Sequence, residues 1–178
     1  MPELQGTKTE KNLQEAFSGE SQARNKYTYF AEVAEKEGHH YIAKIFRETA
    51  ENEKIHAMEE FKLLNGIGDT VANLKEAIGG EDYETKTMYP DFAKDAEEEG
   101  NKAAAILFAQ IGKIEAHHRD RYKKLLEMVE AGTLYKREQA IKWKCSVCGY
   151  IMEGKEPPPK CPGCKNPKEY YEPANLDF

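Results

Sequence analysis

The chain has 178 residues, enough for one ordinary domain or for one domain with a small appendage. Of these residues 33% are charged and 39% are hydrophobic, and no apolar run approaches the roughly 18 residues of a membrane span. The first residues contain no apolar stretch, so we expect no secretory signal peptide and a cytoplasmic protein. The net charge of −6 argues against a general nucleic-acid-binding protein.

The composition changes near Arg137. Residues 138–178 contain all four cysteines, the single tryptophan and six of the eight prolines. Their six lysines balance six acidic residues, so the net charge of −6 belongs to the residues before them and fits a site that holds cations. We therefore predict two domains, 1–137 and 138–178.

The first of these domains has apolar residues at steps of three and four, the pattern of amphipathic helices. We predict four helices, at 9–37, 40–65, 71–99 and 101–131, each followed by a glycine that suits a helix C-cap. The third is expected to be broken at Gly79 and Gly80 and bent at Pro90. Long helices with short connections predict a mainly α fold, an antiparallel four-helix bundle.

The helical region contains an internal repeat. A shift of 62 residues places matching residues of the two halves on each other: Tyr27 on Tyr89, Glu53 on Glu115 and His56 on His118. The bundle is therefore predicted to consist of two related helical hairpins.

Acidic and histidine residues interrupt the apolar stripes. Glu20 lies on the inward stripe of the first helix, and two Glu-x-x-His motifs continue the stripes of the second and fourth helices. Residues three apart on a helix share one face, so each motif converges on one point. A solvated helix face explains one such motif, whereas two copies on core-facing stripes favour a pair of divalent cations.

The ligand on the third helix depends on the alignment of the repeat. A shift of 62 residues aligns Glu20 with Asp82. The dipeptides Gly19-Glu20 and Gly80-Glu81, however, align with a shift of 61. We predict Glu81 as the ligand and keep Asp82 as the alternative. One extra residue then lies before Tyr89, to be absorbed by a π-bulge or by the bend before Pro90.

Three further residues share faces with these candidates. Glu84 lies one turn beyond Glu81 and has no acidic counterpart in the first half, so it is either an extra carboxylate of the site or an exposed residue. Tyr27 and Tyr89 lie on the ligand stripes. They are either core aromatics or hydroxyl donors beside a metal site.

The four cysteines form two Cys-x-x-Cys turns, Cys145 with Cys148 and Cys161 with Cys164. Two such turns close a tetrahedral site of four sulfurs, and a chain without an export signal favours metal over disulfides. Zinc would make this region structural and iron would make it a one-electron carrier. Sulfur ligands alone do not decide between the two.

With both sites in place the whole chain resembles the rubrerythrin family. The resemblance depends on two segments of the helical region, Gly19-Glu20-Ser21-Gln22-Ala23-Arg24-Asn25 and Met88-Tyr89-Pro90, and on both Glu-x-x-His motifs. It also depends on the cysteine motifs Cys145-x-x-Cys148-Gly149-Tyr150 and Cys161-Pro162-x-Cys164. It implies a ferritin-like di-iron bundle followed by a rubredoxin-like domain with one iron. The connection before Glu81 is shorter than in some members of the family.

The resemblance also implies site residues and an activity. The implied di-iron ligands are Glu20, Glu53, His56, Glu81, Glu84, Glu115 and His118, with Cys145, Cys148, Cys161 and Cys164 around the single iron. Glu84 would exchange with His56 at one iron as the redox state changes. Tyr27 and Tyr89, from their places on the ligand stripes, join Glu84 and His56 as candidate catalytic residues. The implied reaction reduces hydrogen peroxide to water, with electrons from a pyridine nucleotide passing through a separate reductase to the rubredoxin-like iron.

Two other functions compete with this one. A ferritin-like protein that oxidises ferrous iron would need a cage and an iron entry path, for which the four-cysteine tail has no evident use. A binding protein whose zinc-ribbon domain contacts a partner would leave the inward carboxylates unexplained.

The length of the last helix bears on assembly. About 28 Å of helix would separate His118 from the tail that begins near Arg137, so the tail is expected to serve a second chain in a head-to-tail homodimer. The family forms such dimers.

Overall fold

The computed structural model describes residues 4–174, which form five α-helices, one π-helix, a short 3-10 helix and a three-stranded sheet. The chain divides into two compact units, Met1–Gly68 and Asp69–Phe178. The predicted boundary at 137/138 lies inside the second unit and stays a prediction, and the outer ends of both predicted domains, 1–3 and 175–178, lie outside the described residues. Within 4–174 no helix has the length and apolar character needed to cross a membrane.

The first unit is a hairpin of helices α1, Lys8–Lys36, and α2, His40–Leu63. The Thr7 hydroxyl caps α1 by accepting a hydrogen bond from the Glu10 amide at 3.1 Å. Small residues let the two helices approach closely, and the buried positions are all alanines: Ala31, Ala34, Ala43, Ala50 and Ala57. Phe46 packs against the first three of them. Both predicted helices are confirmed, with ends shifted by one or two residues.

The second unit begins with α3, Thr70–Tyr83, which continues through a π-helix, Glu84–Met88, into α4, Tyr89–Glu98. Both α3 and α4 pack on α5, Lys102–Glu130. The predicted break at Gly79 and Gly80 is wrong, because α3 runs through both glycines. A helix tolerates such residues at about 1 kcal/mol each, and here the packing on α5 compensates.

The π-helix accommodates the extra residue of the second half. From Glu20 to Tyr27 is seven residues, which brings the two side chains to nearly the same face of an α-helix, whereas from Glu81 to Tyr89 is eight. The wider turn at Glu84–Met88 takes up the difference. Of the two ways expected to absorb the extra residue, the π-bulge is therefore the one that the structure forms.

A small antiparallel sheet follows α5. Its strands are β1, Ile141–Cys145, β2, Ile151–Gly154, and β3, Tyr171–Pro173, in the order β2-β1-β3. Trp143 in the central strand is fully buried, and its indole N–H donates to the Gly154 carbonyl at 3.0 Å. The predicted fold class, mainly α with a small C-terminal metal-knuckle β region, is confirmed.

Trp143 is expected to hold this sheet together. Trp143→Ala should cost about 3–5 kcal/mol of the stability of the sheet region, because it removes the largest side chain of a small core. Tyr170→Ala is the matched control, since the Tyr170 side chain is half exposed. Loss of hydrogen-exchange protection of the β1 amides with rising guanidinium reports unfolding of this region. Equal midpoints for the two variants would contradict the prediction.

Candidate metal centres

The first candidate centre lies in the α1–α2 hairpin and contains Glu20, Glu53 and His56. The Nδ1 atom of His56 lies 2.8 Å from Glu53 Oε2 and 3.9 Å from Glu20 Oε2. Glu53 is mostly buried, with 16% of its side chain exposed, whereas the His56 side chain is 58% exposed. The Glu53 carboxylate therefore lies on the buried side of this centre, and the His56 imidazole lies on its solvent side.

The neighbouring Glu53 disfavours the ionisation of Glu20. A hydrogen bond to Glu53 raises the pKa of Glu20, and burial and the negative charge of Glu53 raise it further. The neighbouring His56 acts in the opposite direction. A cation between the two carboxylates would remove the repulsion.

The second candidate centre repeats this geometry in the second unit with Glu81, Glu115 and His118. The Nδ1 atom of His118 lies 2.7 Å from Glu115 Oε2 and 3.7 Å from Glu81 Oε1, within 0.2 Å of the corresponding distances in the first centre. Burial, a hydrogen bond to Glu115 and its negative charge raise the pKa of Glu81. The predicted repeat thus extends from the sequence to the positions of the donor atoms.

Asp82 points to different partners from Glu81. Its carboxylate lies 2.6 Å from Lys86 Nζ and 3.3 Å from Arg119 Nη1. The hydrogen bond from Lys86 lowers the pKa of Asp82. The structure therefore brings Glu81, and not Asp82, to Glu115 and His118.

Both triads fit a metal ion. In each, one donor atom per residue lies within 4.8 Å of the others, close enough for a shared cation. The second oxygen of Glu81 is buried without a hydrogen-bond partner, which is costly unless a cation or a proton satisfies it. Carboxylate oxygens with imidazole nitrogen are donors that suit iron, zinc and manganese.

Glu84 and Tyr89 lie beside the second triad without joining it. The charge of Glu84 contributes to the raised pKa of Glu81. Burial raises the pKa of Tyr89, and the charges of Glu84, Glu115 and Glu81 raise it further, so its hydroxyl stays protonated. Tyr27 occupies the matching place in the first unit, with its ring 6.1 Å from that of Phe46.

Sequence reasoning missed two supporting residues in the second unit. Gly112 leaves room for Tyr89, because a Cβ atom there would lie 3.1 Å from Tyr89 Cβ. Arg119, whose side chain is only 16% exposed, bridges Asp82 and Asp120 and so holds Asp82 away from the triad. For Gly112 the sequence did contain a signal. The repeat matches this glycine to Ala50, so the two halves differ in residue type at this position.

The four predicted cysteines come together at the end of β1 and in the loop before β3. The sulfurs of Cys145 and Cys164 lie 3.7 Å apart and those of Cys148 and Cys161 lie 3.6 Å apart. These separations match the edge of a tetrahedron with metal–sulfur bonds of about 2.3 Å and far exceed a disulfide bond of about 2.05 Å. The cluster therefore has the geometry of a four-sulfur metal site.

A hydrogen bond to the sulfur of Cys164 favours the thiolate form that binds metal. The Asn166 side-chain amide donates to Cys164 Sγ at 3.4 Å and lowers the pKa of that thiol. The Lys165 amide donates to the Cys161 carbonyl at 2.9 Å, and the Gly149 amide to the Cys145 carbonyl at 2.8 Å, which closes both turns.

The opposite pKa shifts of Glu81 and Asp82 predict opposite effects of neutralising them in metal-free protein. Glu81→Gln should raise the melting temperature at pH 7, because a carboxyl with a raised folded-state pKa destabilises the fold above that pKa. This gain should vanish below the ordinary pKa of 4.5, where Glu81 is protonated in both states.

Asp82→Asn is the matched control for this experiment. A lowered folded-state pKa stabilises the fold above the ordinary value of 3.8, so Asp82→Asn should lower the melting temperature at pH 7. Thermal unfolding at pH 7 and pH 4, with and without iron, gives the comparison. With iron bound, Glu81→Gln should destabilise, and shifts of the same sign for both metal-free variants would contradict the assignment.

Comparison with known proteins gives matches along most of the chain. Residues 11–126 match the family model described as rubrerythrin, and residues 143–172 match that described as the rubredoxin-like domain of rubrerythrin. A rubrerythrin of Porphyromonas gingivalis is 46% identical, with 98% of this chain and 94% of that protein covered. Rubrerythrin-1 of Clostridium acetobutylicum is 45% identical, with 97% of each chain covered. A rubrerythrin of Nitratidesulfovibrio vulgaris is 43% identical over the whole of both chains.

Proposed function

The chain belongs to the rubrerythrin family, and on that premise we propose that it is a non-haem di-iron peroxidase. It reduces hydrogen peroxide to water, with electrons delivered through the rubredoxin-like iron, as a defence against oxidative stress. The observation that carries the proposal is the presence of two matching Glu–Glu–His triads in a chain that also holds a four-sulfur site.

The family has a di-iron site of carboxylates and histidines and one iron in a four-cysteine site, and this chain has residues that fit both. We assign the di-iron ligands to both triads and Glu84: Glu20, Glu53, His56, Glu81, Glu84, Glu115 and His118. The iron of the tail takes Cys145, Cys148, Cys161 and Cys164. Two ferrous ions held by these residues would supply together the two electrons that cleavage of the O–O bond consumes, without release of a hydroxyl radical.

Tyrosine and glutamate side chains beside the triads would donate hydrogen bonds and add negative charge during this reaction. Each peroxide takes two electrons and two protons to give two water molecules. Tyr89 keeps its proton because burial raises its pKa, so its hydroxyl is a hydrogen-bond donor beside the carboxylates. We assign a hydrogen-bonding hydroxyl also to Tyr27, which the repeat matches to Tyr89. The charge of Glu84 contributes to the raised pKa of Glu81, which supports its assignment as an additional carboxylate on that side of the centre.

A single-turnover experiment tests the reaction. Chemically reduced, iron-loaded protein mixed without oxygen should consume one hydrogen peroxide per di-iron site and become oxidised at that site. An iron-handling protein would instead be oxidised faster by dioxygen than by peroxide and would accumulate ferric mineral on repeated additions of ferrous iron. That second outcome would replace the proposed function with ferrous iron oxidation.

We also propose a cytoplasmic, head-to-tail homodimer that accepts electrons from a pyridine-nucleotide reductase or a rubredoxin. The part of α5 beyond His118 extends twelve residues to Glu130, about 18 Å, and β1 begins only at Ile141. This separation favours an arrangement in which each four-cysteine domain serves the di-iron site to which its own α5 does not contribute.

Mixed dimers test this route. A Cys161→Ser chain and a Glu115→Ala chain should each be inactive alone, whereas their heterodimer should regain up to half of the wild-type turnover. The intact α5 then belongs to the chain with the damaged tail, so its electrons must come from the other chain. Verified heterodimers without recovery would indicate transfer within one chain.

A further inference from the structure

We propose that two side chains of the rubredoxin-like domain, Tyr171 and Asn166, donate hydrogen bonds to the sulfurs of Cys161 and Cys164 and raise the reduction potential of the four-cysteine iron. Both are positioning residues, because they act on the iron through its sulfur ligands. The inference deepens the proposed function and rests on its electron route, since these two residues set the driving force of the electron steps at this iron.

Asn166 lies directly behind the second cysteine turn. Its backbone carbonyl accepts from the Cys161 amide at 2.8 Å, which anchors the residue to the start of that turn. The preceding Lys165 has a φ of 65°, and such a left-handed residue bends the chain sharply. The side-chain amide of Asn166 then donates to Cys164 Sγ at 3.4 Å. Asn166 therefore holds the position of a donor to one ligand sulfur.

Tyr171 brings a buried hydroxyl to the same group of sulfurs. It lies opposite Cys145 in the pairing of β1 with β3, and it packs in one buried cluster with Trp143, Cys145 and Cys161. The residue is only 4% exposed. Its hydroxyl oxygen is buried and, within residues 4–174, has no partner in ordinary hydrogen-bond geometry. A buried hydroxyl without an acceptor is costly, and a phenylalanine would fill the same space without that cost.

The Cys161 sulfur is the acceptor beside this hydroxyl. Burial raises the pKa of Tyr171, and its interaction with Cys161 raises that pKa further, so the proton stays on the hydroxyl oxygen. A thiol is a weak acceptor, whereas a cysteine that binds a metal is deprotonated and negatively charged. Once ionised as a metal ligand, Cys161 is therefore the acceptor that the Tyr171 hydroxyl lacks.

Donors at the sulfurs favour the reduced state of the iron. A site of four thiolates gains one negative charge when its iron goes from ferric to ferrous. An O–H or N–H group that points at a sulfur stabilises the more negative state, and hydrogen bonds to sulfur are among the features that set the potentials of such sites. Tyr171 and Asn166 therefore raise the potential, and their loss lowers it.

The effect on electron flow has two sides. A higher potential lets the iron take an electron more readily from a reductase. It also reduces the driving force for passing that electron to the di-iron site. The two side chains therefore tune the uptake of electrons against their delivery.

Removal of the Tyr171 hydroxyl gives the first test. Tyr171→Phe keeps the ring that fills the core, and in the full-length, iron-loaded protein it should lower the ratio of ferrous to ferric iron at a fixed applied potential about tenfold. That change corresponds to about 59 mV for one electron. Tyr170→Phe is the matched control, because it removes the hydroxyl of the neighbouring half-exposed residue and should leave the potential unchanged.

An electrochemical titration followed by the thiolate-to-iron absorption measures the potential of each variant. Unchanged absorption bands in the oxidised protein establish that a variant keeps its four-sulfur site. Equal potentials for Tyr171→Phe and Tyr170→Phe would overturn the proposal.

Asn166→Ala tests the second donor in the same titration. It should lower the potential in the same direction, and the double variant with Tyr171→Phe should lie below either single variant. Ser146→Ala is the matched control, because the Ser146 hydroxyl donates at 2.9 Å to the Tyr170 carbonyl and not to a sulfur. A potential that does not change in Asn166→Ala, or that changes equally in Ser146→Ala, would contradict the role of Asn166.

Replacement of the iron by NMR-active cadmium tests the hydrogen bonds themselves, apart from redox chemistry and activity. In the full-length protein with cadmium in the four-cysteine site, the Tyr171 hydroxyl proton and an Asn166 side-chain amide proton should show scalar coupling to the metal through the sulfurs. The hydroxyl proton should also exchange slowly with water. A Tyr171 hydroxyl that exchanges as fast as that of Tyr170 and shows no coupling would exclude the bond.

The proposed function is decided by a different measurement, the consumption of peroxide by chemically reduced wild-type protein. A lowered potential in Tyr171→Phe without peroxide consumption by the wild type would support the tuning of the iron and refute the peroxidase. An unchanged potential together with full peroxide consumption would refute the tuning and leave the peroxidase standing.

Discussion

Cys161→Ser is expected to abolish peroxide turnover driven by a pyridine-nucleotide reductase. A serine hydroxyl does not replace the thiolate, and the four-sulfur site loses its metal or its electron-transfer function. The loss should be at least about a hundredfold, beyond the ten- to hundredfold typical of changes that only touch a ligand's supporting contacts. Initial rates of NADH oxidation with peroxide and a reductase measure it.

The same variant should keep the chemistry of the di-iron site. Reduced chemically, it should still consume one peroxide per di-iron centre in a single turnover. Val147→Ala is the matched control, since Val147 lies within the same cysteine turn and is half exposed. Steady turnover by Cys161→Ser protein at the wild-type rate would refute the electron route proposed above.

Glu115→Ala should have the complementary effect. Its removal leaves His118 and Glu81 without the carboxylate that lies 2.7 Å from the imidazole, so iron at this side should be lost. Single-turnover peroxide consumption should fall by at least about a hundredfold. The absorption of the four-cysteine iron should remain, because Cys145 and its partners lie in a different part of the chain.

Glu127→Ala on the same helix controls for the loss of one acidic residue. Glu127 is exposed and belongs to neither triad. Iron content by metal analysis and peroxide consumption after chemical reduction should match the wild type. If Glu115→Ala and Glu127→Ala behaved alike in both assays, Glu115 would not be a ligand.

Much of this molecule follows from patterns that one sequence carries. The helices were predictable because their apolar spacing is regular and glycine follows each helix end. The triads were predictable because the repeat places the same residue types twice on inward faces, which chance rarely does. The four-cysteine site was predictable because Cys-x-x-Cys turns need only local geometry.

Other features depend on contacts that a sequence does not display. The choice of Glu81 over Asp82 depends on Lys86 and Arg119, which hold the Asp82 carboxylate away from the triad. The continuous course of α3 through Gly79 and Gly80 depends on its packing against α5 and defeats the local preference of glycine. The donation from Asn166 to Cys164 depends on a turn with Lys165 at positive φ, which the residue types alone do not predict.

The π-helix at Glu84–Met88 makes the two halves of a duplicated structure unequal. Two identical hairpins would give two identical coordination environments and two metal ions with the same reduction potential. The inserted residue brings Glu84 beside Glu81 and Tyr89, whereas the additional carboxylate whose charge acts on Glu20 is Glu60 of α2. The two hairpins therefore surround their triads with acidic residues from different elements, a π-helix in one and an α-helix in the other. A single insertion thus lets the two halves diverge in the surroundings of the triads while the triads themselves keep the same geometry.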